Sequence, residues 1–190
     1  MSINSAILVM AAGFGRRFRQ SGGGNKLLAR LNGKPVLQHT LENARATGRP
    51  VFVVSQPSDR AIHQLAEKAS LILCASQGMG ESLAAGIRAC ADYDGWVITL
   101  GDMPWLQTTS YQAVIQALEN YPLVRPVING QPGHPVGFQR QFYADLSSLS
   151  GDTGAKKVLQ NFPTHCIELA DEGCLLDVDY PAALSAKERA

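Results

Sequence analysis

The chain has 190 residues, 45% of them hydrophobic, and its 17 lysines and arginines nearly balance 16 aspartates and glutamates, for a formal net charge of +1. A globular chain of this length buries roughly 70% of the surface its unfolded form exposes, which supports one large domain without a disulfide framework. The near-neutral balance argues against nucleic acid as the partner, because nucleic-acid domains carry a basic surplus.

Four cysteines (Cys74, Cys90, Cys166 and Cys174) show no CxxC or Cys/His ligand spacing, so they read as reduced thiols rather than zinc ligands. The opening "MSINSAILVM" lacks a basic region before its apolar run and a small-residue cleavage pattern, and no apolar run reaches the roughly 18 residues of a membrane span. The expectation is a cytoplasmic protein that engages no membrane.

In chain order, "AILVMA" (6–11), "VFVVS" (51–55), "LILCA" (71–75) and "WVITLG" (96–101) are continuous apolar runs, as strands buried on both faces of a parallel sheet should be. Between them lie segments of helical period: "PVLQHTLENARAT", with Val36, Leu37, Thr40, Leu41 and Ala44 on one face, then "DRAIHQLAEKA" and "GESLAAGIRACA". The alternation argues for crossover units on a mostly parallel, doubly wound α/β sheet, whose ligand sits beyond the carboxyl ends of the strands. The second half is less regular. "SYQAVIQALEN" reads as a helix, "PLVRPVI" and "HPVGFQ" as strands around the turn "NGQPG", and "GAKKVLQNF" as a further helix.

The first strand runs directly into Gly13 and Gly15, within a local cluster of Arg16, Arg17, Arg19, Lys26, Arg30 and Lys34. Glycines there let backbone N–H groups approach an anion, while Arg17 and Lys26 offer charge-assisted hydrogen bonds to phosphate oxygens. A tight turn with solvated arginines explains the same residues. A Walker loop would need Ser or Thr after Lys26, where Leu27 stands, and a dinucleotide fingerprint would want an acid where Ser55 and Gln56 stand.

The fourth strand ends in "LGDMPWL", which puts Asp102 at the carboxyl edge of the sheet. In "LLDVDYP", Asp177 and Asp179 lie two apart on an extended segment and share a face. Mg²⁺ is usually held by one or two carboxylates plus substrate phosphates and water, so Asp102 and one of the distant pair are candidate ligands. Asp102 as a turn cap and Asp177 as a solvated residue remain open.

Ser82 sits near the start of a helix, either as a first-turn residue or as a hydroxyl facing a base or ribose. His134 lies between Gly133 and Pro135, and "LSGDTGAKK" holds Asp152 and Thr153 as helix caps or as part of an anion site. No Ser/His/Asp triad or Cys/His nucleophile is suggested.

The ordered set "VMAAGFGRR", "NKLL", "GMGESLAAGI", "GDMPWL", "NGQPGHPVGF", "LSGDTGAKKVL" and "DVDYPAAL" resembles the molybdenum cofactor nucleotidyltransferases, most closely their cytidylyltransferase branch. The resemblance implies a single-domain, Rossmann-like, three-layer α/β nucleotidyltransferase fold with a mostly parallel sheet over residues 1–190. Its first half would bind nucleotide and its second half largely the acceptor. The resemblance assigns the triphosphate to Ala11, Ala12, Gly13, Gly15, Arg17 and Lys26, with Arg17, Lys26 and Asp102 catalytic. It gives Mg²⁺ to Asp102 and Asp179, faces Ser82 to the nucleotide, and places Gly133, His134, Asp152 and Gly154 on the acceptor side.

The Ala11-Ala12 doublet resembles the cytidylyl rather than the guanylyl branch, so CTP is expected over GTP. Molybdopterin, or another phosphorylated acceptor, would be the second substrate, and a recipient molybdoenzyme a transient partner. Phe18 and Arg19 depart from the Met and Gly usual in the family, and "RQSGGG" lengthens the approach to Lys26. A related transferase acting on a sugar phosphate, an NAD(P)-dependent oxidoreductase and a non-catalytic nucleotide-binding module are the competing readings.

Overall fold

The computed structural model describes residues 3–187. In chain order its strands are β1 (Ser5–Met10), β2 (Arg30–Leu31), β3 (Lys34–Pro35), β4 (Val51–Ser55), β5 (Ser70–Leu73), β6 (Gly95–Leu100), β7 (Leu123–Ile128), β8 (Gln131–Pro132), β9 (Val136–Gln139) and β10 (His165–Glu168). The α-helices are α1 (Arg16–Gln20), α2 (Val36–Arg45), α3 (Arg60–Leu65), α4 (Met79–Ala89), α5 (Thr108–Ala117), α6 (Tyr143–Ser147), α7 (Lys156–Asn161) and α8 (Ala182–Lys187). The main sheet runs β10-β7-β9-β6-β1-β4-β5, with β8 paired to β7, while β2 and β3 form a separate hairpin. β1 pairs parallel with β4 and β6, and β10 pairs parallel with β7. β9 runs antiparallel to both β6 and β7.

The strand β1 shows why its sequence is apolar without a break. Ile7 and Val9 enter a core with Leu37 and Leu41 of α2, Ile62 of α3 and Tyr111 and Val114 of α5. Leu8 and Met10 enter the opposite core with Leu83 and Ile87 of α4, Leu146 of α6 and Val158 of α7. Alternate side chains therefore meet helices on both sides of the sheet, which is the three-layer α/β arrangement the sequence implies.

The strand β5 departs from the expected pattern of burial. "LILCA" reads as a strand covered on both faces, but β5 is the sheet edge, with Leu71 38% and Leu73 54% exposed. An apolar run reports β propensity and not the number of neighbours, so the edge position was not encoded in it.

A small third core tightens one end of the molecule. Phe18 of α1, Leu31 of β2, Val36 of α2 and Val178 pack together and are essentially buried. The Val178 N–H donates to the Asp102 carbonyl at 2.9 Å. The C-terminal segment is thereby fixed beside the carboxyl end of β6, and the aspartates on either side of Val178 are carried there with it. All four cysteines are free thiols, and among the described residues no helix is long and apolar enough to cross a membrane.

Candidate functional site

The site begins where β1 ends. Ala11 continues the strand's bonding by donating its N–H to the Val54 carbonyl at 2.8 Å, and its side chain is 2% exposed within the core, so it supports the loop from behind. The Ala12 carbonyl accepts a hydrogen bond from Gln56 Nε2 at 3.1 Å, and the same amide donates to the Ser76 carbonyl at 2.9 Å. Gln56 thus ties the loop after β1 to the loop before α4. Nothing lies within 4 Å of where a Cβ would stand on Gly13, and Gly15 adopts a left-handed conformation with φ +54° that turns the chain into α1. That second conformation disfavours an L side chain.

The two loops enclose a cavity of about 310 Å³ lined by Ala12, Gly13, Phe14, Gly15, Ser76 and Ser82 among others. Ser82 lies in the first turn of α4, its hydroxyl bonded to Ser76 Oγ and donating to the Gly78 carbonyl at 3.1 Å. Ser82 is thus a first-turn residue that also borders the cavity. The start of α4 is pressed against the loop before α7, with the Gly80 N–H donating to the Gly151 carbonyl at 2.7 Å. That contact carries Asp152 into the lining of this same cavity.

Lys26 arrives from the other side. Asn25 Oδ1 accepts the Leu27 N–H at 3.0 Å, forming a turn, and Leu27 is buried, so the lysine between them projects into the site. Its ammonium pairs with Asp102 Oδ2 and stands 3.7 Å from Asp179 Oδ1. Arg17 Nη1 donates to Asp179 Oδ2 at 2.7 Å on the exposed rim. Arg17 and Lys26 share a smaller cavity with Gly15, Phe18 and Asp179 on the far side of the glycine loop.

One oxygen from each of Asp102, Asp177 and Asp179 lies within 4.8 Å of the others. Asp102 is 5% exposed, and its Oδ1 is buried without a hydrogen-bond partner. Burial holds the Asp102 carboxyl above its usual range, against the opposing pull of the Lys26 ammonium, with Asp177 adding to the rise. Such a carboxylate needs a positive partner, and three hard oxygen donors converging beside a lysine fit a small divalent cation.

A second, larger cavity of about 540 Å³ adjoins the first through Met10 and Met79, which line both. Its lining includes His134 and Gly154 but neither Gly133 nor Asp152. Gly133 is a packing residue: a Cβ on it would stand 2.6 Å from the Cys174 carbonyl oxygen. Burial pushes the His134 imidazole down to about 4, with the neighbouring Arg125 cation adding to the effect.

Three residues that position these cavities were not singled out from the sequence. In the sequence Gln56 stands out only as not being an acid, Ser76 carries no spacing signal, and Arg125 sits inside the apolar run "PLVRPVI". A charge within an otherwise apolar strand was the available signal for Arg125.

The family model for the MobA-like NTP transferase domain matches residues 7–168. The molybdenum cofactor cytidylyltransferase of Escherichia coli (strain K12) is 22% identical over 187 residues, covering 96% of this chain and 95% of that protein. The bifunctional protein GlmU of Kineococcus radiotolerans is 31% identical over 147 residues, 73% of this chain, but the match spans only 30% of GlmU. Among solved structures, the homolog of Mycobacterium tuberculosis Rv0371c from Mycobacterium sp. strain JC1 superposes with a TM-score of 0.85 at 22% identity, covering 98% of both chains. Rv0371c of Mycobacterium tuberculosis, solved in complex with manganese, superposes with a TM-score of 0.74 at 22% identity over 87% of this chain and 88% of that one.

Proposed function

This chain belongs to the MobA-like NTP transferase domain family, and from that premise we propose that it transfers CMP from CTP to the terminal phosphate of molybdopterin, releasing pyrophosphate with the help of Mg²⁺. The observation that carries this reading is the convergence of the glycine loop after β1 with Lys26 and the Asp102, Asp177 and Asp179 carboxylates. Family membership sets aside the oxidoreductase alternative. The choice of CTP rests on the Ala11-Ala12 doublet, supported by the likeness to the Escherichia coli cytidylyltransferase along nearly its whole length.

In the proposed reaction an oxygen of the acceptor phosphate attacks the α-phosphorus of CTP, the bond from that phosphorus to the bridging oxygen breaks, and pyrophosphate leaves. A phosphate monoester has a second pKa of about 6 and is mostly dianionic at neutral pH, so no strong general base is required. That fits a site with no catalytic His or Cys at the loop. Asp102 and Asp179 would hold Mg²⁺, with Asp177 beside them, and when bound the ion supplies charge stabilisation of the triphosphate and of the leaving pyrophosphate.

The chain's own residues do the positioning. Backbone N–H groups around Ala12, Gly13 and Gly15 would cradle the phosphates. Lys26 would turn from Asp102 to a phosphate oxygen, and Arg17 would do the same from Asp179 at the rim. Ser82 would offer its hydroxyl to the nucleoside, and Asp152, from the opposite wall, would border the same cavity rather than the acceptor's. The acceptor would occupy the second cavity, beside His134 and Gly154, with Gly133 supporting it through packing. In this scheme residues 1–190 act as one domain, the first half mainly for nucleotide and the second mainly for acceptor. The reading also entails a cytoplasmic location and brief contact with a recipient molybdoenzyme.

A second reading, transfer to a sugar phosphate, draws on the GlmU likeness. The test is pyrophosphate release from CTP with Mg²⁺ and purified molybdopterin, run against a hexose 1-phosphate. Release dependent on molybdopterin, and lost in Asp102→Ala, is the expected result; release only with the sugar phosphate would replace this reading with the second.

A further inference from the structure

The second cavity has a character that the proposed reaction alone does not require. On the sheet side its wall is apolar, from Ile98, Leu100, Val136 and Phe138, and Leu83 and Leu159 face it from the helices. Its charged or titratable lining residues are Arg125, His134 and Lys156, with no Asp or Glu among them. Lys156 is exposed at the rim, whereas Arg125 is partly buried on β7.

Arg125 is underpaired for a guanidinium in such a place. Its Nε and Nη2 both donate to the same acceptor, the Gly133 carbonyl, at 3.4 and 3.2 Å. Among the described residues no carboxylate forms a salt bridge with it, and Nη1 makes no hydrogen bond. Burial draws the guanidinium below its usual range, the direction expected of a cation taken from water without a counter-ion. One carbonyl needs only one neutral donor, so fastening the turn after β7 does not by itself account for a half-buried guanidinium there. The neutral imidazole of His134 adds hydrogen-bonding capacity beside it without adding charge.

We propose that this cavity selects an acceptor with a heteroaromatic ring body, whose faces meet the apolar walls, and an anionic group separate from the attacking phosphate, and that Arg125 is the residue that receives that group. The inference rests on the assignment of the second cavity to the acceptor. A half-buried guanidinium beside apolar walls offers an oxyanion charge-assisted hydrogen bonds with fewer waters competing for it than on an open surface. Replacing it with a neutral amide keeps hydrogen bonding to the Gly133 carbonyl and removes the charge.

The test uses two fluorescent pterins that differ in charge, pterin-6-carboxylate and 6-hydroxymethylpterin, titrated into the wild type, Arg125→Gln and Arg125→Lys. Titration with CTP and Mg²⁺ confirms that each variant is folded. The wild type should prefer the carboxylate by about tenfold or more. Arg125→Gln should lose that preference and Arg125→Lys keep part of it, with CTP affinity unchanged throughout. Equal affinity for the two pterins, no binding of either, or a preference that survives in Arg125→Gln would overturn the inference; if Arg125→Gln does not fold, the reduced preference of Arg125→Lys decides. Measuring CMP transfer to molybdopterin in the same proteins separates the two claims. No transfer alongside an Arg125-dependent preference would reject the molybdopterin reading alone, while transfer with an unchanged KM for molybdopterin in Arg125→Gln would reject the inference alone.

Discussion

The Lys26 ammonium rests on Asp102 Oδ2 and stands 3.7 Å from Asp179 Oδ1, so one lysine answers two of the carboxylates that the proposed Mg²⁺ would also need. On that proposal lysine and cation would compete for the same oxygens until a triphosphate offered the ammonium another anion. Lys26→Met should therefore bind Mg²⁺ more tightly than the wild type when nucleotide is absent, yet turn over about a hundredfold more slowly. With Asp102 left buried and unpaired, the variant should lose stability, by as much as about 3 kcal/mol, and recover much of it on adding Mg²⁺. Thermal unfolding with and without Mg²⁺, beside a turnover assay, checks both halves.

Arg17 makes a contrasting prediction. Its bond to Asp179 lies on the exposed rim, where ion pairs add little to folding. Arg17→Ala should leave the melting temperature unchanged while raising the KM for CTP by roughly tenfold or more, from the loss of a charge-assisted bond to phosphate. A melting temperature that falls with KM unaltered would make the arginine structural.

Two glycines near the first cavity should respond differently in stability. Gly13 has nothing within 4 Å of a built Cβ, so Gly13→Ala should fold normally and fail to bind nucleotide, the methyl entering the space proposed for phosphate. Gly80 lies within α4, where alanine is ordinarily the better helix former, but its Cβ would stand 2.6 Å from the Ser150 carbonyl oxygen. Gly80→Ala should cost about 1–3 kcal/mol and weaken nucleotide binding, because the displaced loop carries Asp152. Urea unfolding and nucleotide titration of both variants separate the two effects.

His134 gives a pH signature. Its folded value of about 4 lies below the ordinary 6.5, so above pH 6.5 the imidazole is neutral in both folded and unfolded chains and contributes no pH dependence. As pH falls, the unfolded chain takes up the proton first, and stability is lost from about 6.5 down toward about 4. Between pH 7.5 and pH 5 the loss assigned to His134 is about 2 kcal/mol. Urea unfolding should show the wild type losing that much more than His134→Gln over the same interval; equal losses would contradict it.

Much of this was legible in the chain because it is local. The β1 run and its glycines, the Asp102 turn and the helical faces are written in consecutive residues. That one of Asp177 and Asp179 joins Asp102 is suggested by carboxylate chemistry, and the resemblance points to Asp179; the physical reason both arrive lies in tertiary packing, where Phe18, Leu31 and Val36 bury Val178 and fix both flanking aspartates. Phe18, a departure from the family pattern, is part of that clamp. What the sequence hid was relational. The edge position of β5 depends on which strands pair, and Gln56 acts through backbone carbonyls of residues 12 and 76. Asp152 was expected with the acceptor group, but the contact of its loop with α4 brings it to the first cavity.

The most direct test of the central claim, that the loop after β1 and the Asp102 cluster form a Mg²⁺-dependent CTP site, is calorimetric titration with CTP, GTP and NADPH, each with and without Mg²⁺. The account predicts binding that prefers CTP, strengthens with Mg²⁺, and loses that Mg²⁺ response in Asp102→Asn. CTP binding indifferent to Mg²⁺, or preference for GTP or NADPH, would contradict it.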